Sequence, residues 1–226
     1  MNVAIPIFDG LTALDAVGPY EVLSRLPDAN VRFLAAEKGP VRTQNGMLAL
    51  LADLTFDELG DPDVIVVPGG HITSELMGDD QAVGWLRRAH ESSAWTTSVC
   101  TGSLLLAAAG ILDGLRATSH WLALDTLARY GAHPVSERVV EQGKVITAAG
   151  VSAGIDMALI LAERIAGEQI AQAIQLSIEY DPQPPFDCGS PVKAPQIWSS
   201  WSAQPLGHRR GSRLEAASVP AGCPSG

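Results

Sequence analysis

Short runs of β-forming residues alternate along this chain with longer stretches whose apolar positions recur at helical spacing. Asn2–Phe8 (NVAIPIF), Val31–Ala36, Val64–Val67, Thr96–Val99 and Val145–Ala148 are the strand-like runs. Val64–Val67 is four consecutive apolar residues, the mark of a strand covered on both faces, and Thr96–Val99 reads as a second buried strand. Helices are predicted over about Thr12–Leu26, Asp79–Ala94, Thr101–Leu112, Trp121–Tyr130, Ser152–Ile165 and Glu168–Glu179. The first carries Leu14, Val17, Val22 and Leu23 on its apolar side and is expected to break at Gly18-Pro19, while Asp79–Ala94 reads as an exposed helix. Asn45-Gly46 within Val41–Asp53 and Glu141-Gln142-Gly143-Lys144 are hairpin signals. Strands alternating with helices predict an α/β protein with a mostly parallel sheet and helices on both faces. In such sheets, sites lie at the carboxyl ends of the strands, which here are Asp9-Gly10, Gly69-Gly70, Cys100 and Ala149-Gly150.

The pattern stops at Asp181. Asp-Pro-Gln-Pro-Pro-Phe-Asp cannot continue a helix, because each proline lacks a donor and restricts the residue before it. From Ile197 onward 13 of 30 residues are Gly, Pro or Ser, so the expected division is an α/β domain over 1–196 and a low-order tail over 197–226.

Composition narrows the class. With 46% hydrophobic and 18% charged residues in 226, the chain is not an intrinsically disordered one. Its most apolar runs, Leu104–Leu112 and Ala158–Ala162, fall short of the ~20 residues that cross a bilayer. No basic segment precedes the first apolar run, so a cytoplasmic location is expected. The formal net charge is −10; Arg209, Arg210 and Arg213 against Glu215 give the last thirty residues +2, leaving −12 on residues 1–196. Such a surface is a poor partner for nucleic acid. Cys100, Cys188 and Cys223 show no paired spacing, which points to reduced thiols and to neither a disulfide framework nor a zinc site.

Of the three, Cys100 has a scaffold. In Thr96–Gly102 (TTSVCTG) a buried strand runs straight into a cysteine, a small-residue turn and a helix start, the logic of a nucleophile elbow. Amides at a helix start favour thiolate and bring cysteine pKa values from ~8.5 toward ~3.5–7.5. The competing reading is a small buried hydrophobe at a strand end. Pro68-Gly69-Gly70-His71 ends another strand, and Gly70 N–H is a candidate oxyanion donor opposite Cys100. Asp15 admits two readings. Thr12 and Asp15 have capping-box spacing, yet Leu14 and Ala16-Val17 flank the carboxylate, and a carboxyl group in apolar surroundings can act as general acid or base. His120 follows Cys100 by twenty residues and is a candidate to orient or deprotonate the thiol, while His71 is a candidate to line the same cleft. No His, Cys, Asp and Glu set has metal-ligand spacing, so no metal and no cofactor are expected.

Together these segments resemble the ThiJ/PfpI superfamily. Phe8–Asp15, Gly18–Leu23, Val67–Gly70, Ser98–Leu105, Ala117–Trp121, Ala149–Asp156 and Asp181–Asp187 occur in the family's order over residues 1 to about 195. The likeness is strongest to its isonitrile-hydrating branch. It implies a flavodoxin-like three-layer sandwich and hydration of isonitriles to N-substituted formamides through a cysteine thioimidate. By that resemblance Cys100 is the nucleophile, Asp15 the acid–base, and Thr101 stands where the peptidase-like branch has histidine. Thr101 and Gly70 would position water or steady charge. His71 stands where many relatives carry a smaller residue. The resemblance also implies a homodimer, with the proline-rich arm crossing between subunits, and a small neutral substrate. Other expectations within reach are glyoxalase- or deglycase-like thiol chemistry, a ligand-sensing domain related to AraC-type regulators, and a redox sensor acting through a sulfenate.

Overall fold

Val3, Ala4 and Ile5 have no exposed surface, and the strand they form is central to the sheet. In this computed structural model, which describes residues 1–196, the strands are β1 (Asn2–Pro6), β2 (Asn30–Ala35), β3 (Gly39–Arg42), β4 (Ala49–Ala52), β5 (Leu54–Thr55), β6 (Val64–Val67), β7 (Trp95–Val99), β8 (Arg116–Ala117), β9 (His133–Pro134), β10 (Val139–Gln142) and β11 (Val145–Ala148). Seven of them form one sheet in the order β10-β11-β7-β6-β1-β2-β5, parallel throughout except for the β10–β11 hairpin. The register sets Val3 beside Val64, Val66 beside Thr97, and Ser98 beside Thr147. β3 and β4 make a separate antiparallel hairpin around the expected Asn45-Gly46 turn, where Asn45 Oδ1 accepts from Met47 N–H at 3.2 Å and Gly46 takes φ 71.

The helices are α1 (Ala13–Leu23), α2 (Thr73–Leu76), α3 (Asp80–Ser92), α4 (Gly102–Ala108), α5 (Leu124–Arg129), α6 (Ala153–Ala166) and α7 (Glu168–Ser177). One core joins Val3, Ile5, Val64 and Val66 to Ala16 and Leu23 of α1 and Met157 and Leu161 of α6. On the other face Ala4, Ile65 and Val67 meet Trp85 and Leu86 of α3 and Leu105 of α4. Both faces of the inner strands are covered, which is why they read as continuous apolar runs. Each large side chain removed from water this way contributes about 1.5–3 kcal/mol.

Three local expectations change. Pro19 lies inside α1 and the helix does not break there. Gly18 faces Ile155, where an added Cβ would sit 3.1 Å from Cγ1, and Gly154 of α6 approaches the Pro19 ring. These two glycines let α1 and α6 approach closely where α1 runs on through the proline. The apolar side of α1 is also turned: Leu14 is 40% exposed, whereas Asp15 is fully buried. Finally, α3 is amphipathic rather than simply exposed, burying Val83, Trp85, Leu86 and Ala89, with Asp79 accepting from the amides of Gln81 and Ala82 at its start. A compact unit spans Met1–Tyr180 and a second begins at Asp181, where the proline-rich arm starts. Within that arm Lys193 pairs with Asp187 at 2.5 Å. The low-order tail expected over 197–226 lies outside the described residues.

Candidate active site

β7 delivers Cys100 into the left-handed region, with φ 59. A non-glycine residue held there costs about 1–3 kcal/mol and persists only where its surroundings over-determine it. Here both backbone groups are tied down. Cys100 N–H donates to Ala148 O and Ala149 O, each at 3.1 Å. Its carbonyl accepts from Ser103 Oγ at 3.2 Å and Ser119 Oγ at 3.1 Å. The turn is too tight for side chains at its neighbours. A Cβ on Gly69 would fall 2.6 Å from Thr101 N, and one on Gly102 2.1 Å from Val67 O.

Asp15 reaches this elbow from α1. Thr12 and Asp15 do not form a capping box: Thr12 Oγ1 donates to Gln44 Oε1 at 3.2 Å, and Asp15 Oδ2 accepts from Gly69 N–H at 3.0 Å. Asp15 Oδ1 is buried with no conventional hydrogen-bond partner. Burial pushes the carboxyl up from 3.8 to about 7, against the pull of the Gly69 amide and the Cys100 thiol. The thiol is raised too, to about 12, first by burial and then by the charge of Asp15. This reverses the lowered thiol pKa expected from the helix start. Cys100 is only 5% exposed, and α4 has just seven residues to oppose that desolvation. The pair therefore resists net negative charge and titrates as a unit, its first charge falling on the carboxyl side.

Two amides are turned on the sulfur, those of Thr101 and Val151. Val151 also has positive φ, at 45, a genuine outlier for a β-branched residue. Sequence reasoning did not single it out. The Ala149-Gly150 strand end was the available signal, but nothing in a valine announces left-handed backbone.

The Thr101 hydroxyl belongs to a closed set of bonds. It accepts from Gly70 N–H at 3.0 Å and lies 2.9 Å from Thr73 Oγ1, which donates to Gly70 O at 2.7 Å. Gly70 N–H, the expected oxyanion donor, is thus committed to Thr101, and the donors facing the sulfur are the Thr101 and Val151 amides. His71 is exposed, its ring over Gly10, where a Cβ would meet Cε1 at 2.8 Å. His120 Nδ1 accepts from Leu122 N–H at 3.3 Å, capping a single 3₁₀ turn, and its ring edge lies against Gly150. Among the described residues no group of three or more His, Cys, Asp or Glu is placed to hold a metal, and no helix is long and apolar enough to cross a membrane. A buried thiol, a near-neutral carboxyl and two inward amides suit covalent capture of an electrophile with transfer of one proton.

A model of the DJ-1/PfpI family matches residues 1–164. The isonitrile hydratase of Pseudomonas putida is 45% identical over 195 residues, covering 86% of this chain and 85% of that one. The HTH-type transcriptional regulator CdhR of Pseudomonas aeruginosa is 33% identical over 180 residues, and the match spans about half of the regulator (52%). Among solved structures, a ThiJ/PfpI family protein from Pseudomonas syringae superposes with TM-score 0.85 at 37% identity, covering 88% of this chain and 83% of that one. Drosophila melanogaster DJ-1beta shares the fold, with TM-score 0.73 at 20% identity over 80% of this chain and 98% of that one. With the elbow at the end of β7, the carboxyl of α1 brought to it and these likenesses along most of its length, the chain belongs to the DJ-1/PfpI family.

Proposed function

We propose that this protein hydrates isonitriles to N-substituted formamides, with Cys100 as nucleophile and Asp15 as the acid–base. The observation that supports the reading is the buried Asp15 carboxyl, raised to about 7 beside the Cys100 thiol, with Oδ1 buried and lacking a conventional hydrogen-bond partner. The likeness to the Pseudomonas putida isonitrile hydratase supplies the substrate class.

The chemistry follows from these groups. Cys100 Sγ bonds to the terminal carbon of R–N≡C as the thiol proton passes to Asp15 and then to that carbon, giving the thioimidate R–N=CH–S. Water adds to the same carbon; one of its protons ends on nitrogen and the other returns through Asp15 to sulfur as the C–S bond breaks. R–NH–CHO leaves and the thiol is restored. The Thr101 and Val151 amides steady the charge on sulfur as it attacks and departs. Thr101, through its hydroxyl, keeps the elbow and the Gly70 strand end in register. The reaction needs no electron or group carrier. We also propose a homodimer, which sedimentation would test.

The decisive assay incubates the protein with an aryl isonitrile and follows the formamide. Cys100→Ala is expected to show no turnover and Asp15→Asn to lose at least a hundredfold. Turnover surviving in Cys100→Ala overturns the proposal. A wild type inert to isonitriles that consumes methylglyoxal would replace it with the glyoxalase reading.

A further inference from the structure

We propose that the protein carries a second small-molecule site, separate from the Cys100 site, that takes an uncharged two-ring aromatic molecule. The sheet has its switch point beside β1: β2 lies on one side of it, and β6, β7 and β11 follow on the other. In open α/β sheets ligands sit in the crevice at that point, beyond the carboxyl ends of the strands. Asp15 occupies the α1 side. On the α3 side a cavity of about 370 Å³ opens, walled by Ile7, Phe8, Val67, Trp85, Leu86 and Leu105. Neither Asp15, Cys100, Thr101 nor Val151 lines it.

The recess is open at its mouth and lies within the ~300–1,000 Å³ range of small-molecule pockets, with an apolar floor that a ligand would cover. A cavity of about 150 Å³ holds benzene, and about 370 Å³ has room for two rings. Its aromatic wall is already set, with Phe56 and Trp85 stacked at 5.2 Å and 29°. The charges at the mouth say what is excluded. Lys38 pairs with Glu58 at 2.6 Å. Asp79 Oδ1 accepts from the Gln81 and Ala82 amides, and Asp9 Oδ1 from Arg42 N–H. Asp9, Glu37 and Asp79 face one already paired lysine, so an anion finds no counter-ion there. An uncharged aromatic gains the apolar wall without displacing any of these bonds.

The probe is 6-propionyl-2-(dimethylamino)naphthalene, an uncharged two-ring fluorophore that brightens in apolar surroundings. Wild type is expected to enhance its emission saturably at one molecule per chain. Ala82 on α3 and Ala36 just after β2 both line the recess; Ala82→Phe and Ala36→Phe are each expected to occupy it and weaken binding at least tenfold with unchanged circular dichroism and melting. Cys100→Ala should bind as wild type does, which separates this site from the one that handles isonitriles. Lack of saturable binding to wild type, binding that persists in either folded plug variant, or binding lost in Cys100→Ala overturns the proposal.

Discussion

Gly69 N–H donates to Asp15 Oδ2 at 3.0 Å across 54 residues of sequence, joining the start of α1 to the end of β6. One carboxyl oxygen is thereby fixed and the other is left for chemistry. A single amide offsets little of what it costs to bury an ionised carboxyl group, so the bond orients Asp15 while burial keeps its proton exchangeable near neutrality.

The first consequence is a pH profile. Asp15 must be ionised to take the thiol proton, and its carboxyl is raised to about 7. kcat/KM for an isonitrile is therefore expected to fall tenfold per pH unit below about 7 and to level off above it. The thiol, pushed up to about 12, contributes no second limb in the working range. A profile flat from pH 5 to 8 would remove Asp15 from the rate equation.

The same carboxyl group predicts a stability difference. Its folded pKa lies above its unfolded one, so the folded state holds the proton more tightly. Stability is then fully present below the unfolded value of 3.8 and is lost as pH rises to about 7. At 1.36 kcal/mol per unit this amounts to about 4 kcal/mol. Asp15→Asn lacks that slope. Its advantage over wild type in urea unfolding is expected to grow by about this amount between pH 4 and pH 8, while its turnover collapses. Parallel stability curves for the two proteins would show that Asp15 is not the buried acid described here.

Much of this architecture is already written in residue order, because buried strands and a cysteine between a strand and a helix are local signals. Val64–Val67 and the Cys100 elbow needed no tertiary knowledge. The failures are all tertiary. Leu14 and Asp15 exchange faces because α1 is aimed by Gly18 against Ile155 and by Asp15 at Gly69, neither visible as periodicity. Gly70 N–H loses its expected role to a threonine hydroxyl from another strand end. The Cys100 thiol departs from its local signal for the same reason: a helix start is local, whereas the burial that raises the thiol is a property of the whole fold.

Two glycine replacements contrast the elbow with an open helix. A Cβ on Gly102 would overlap Val67 O at 2.1 Å, and that neighbour is backbone. Gly102→Ala is expected to destabilise by about 1–3 kcal/mol or more and to cut turnover at least tenfold. Gly84, inside α3, would meet only the far end of Arg88 at 3.5 Å. Gly84→Ala should stabilise by about 0.5–1 kcal/mol with turnover unchanged. Paired thermal melts check both, and equal effects at the two positions would contradict the packing described.

The hydroxyl of Thr101 offers the last test. It is the acceptor for Gly70 N–H at 3.0 Å, and that amide is buried. Thr101→Val keeps the shape of the side chain and the backbone N–H that faces sulfur but strands the Gly70 donor, a loss of about 1–3 kcal/mol. Thr73→Val removes a hydroxyl that donates to Gly70 O at 2.7 Å, and leaves the Gly70 amide satisfied. Turnover should therefore drop more in Thr101→Val than in Thr73→Val, and Thr101→Ser should restore most of it. Were Thr101→Val as active and as stable as wild type, the hydroxyl would be a bystander, and the positioning of the elbow would rest on Gly69, Gly102 and the Ser103 and Ser119 bonds to the Cys100 carbonyl alone.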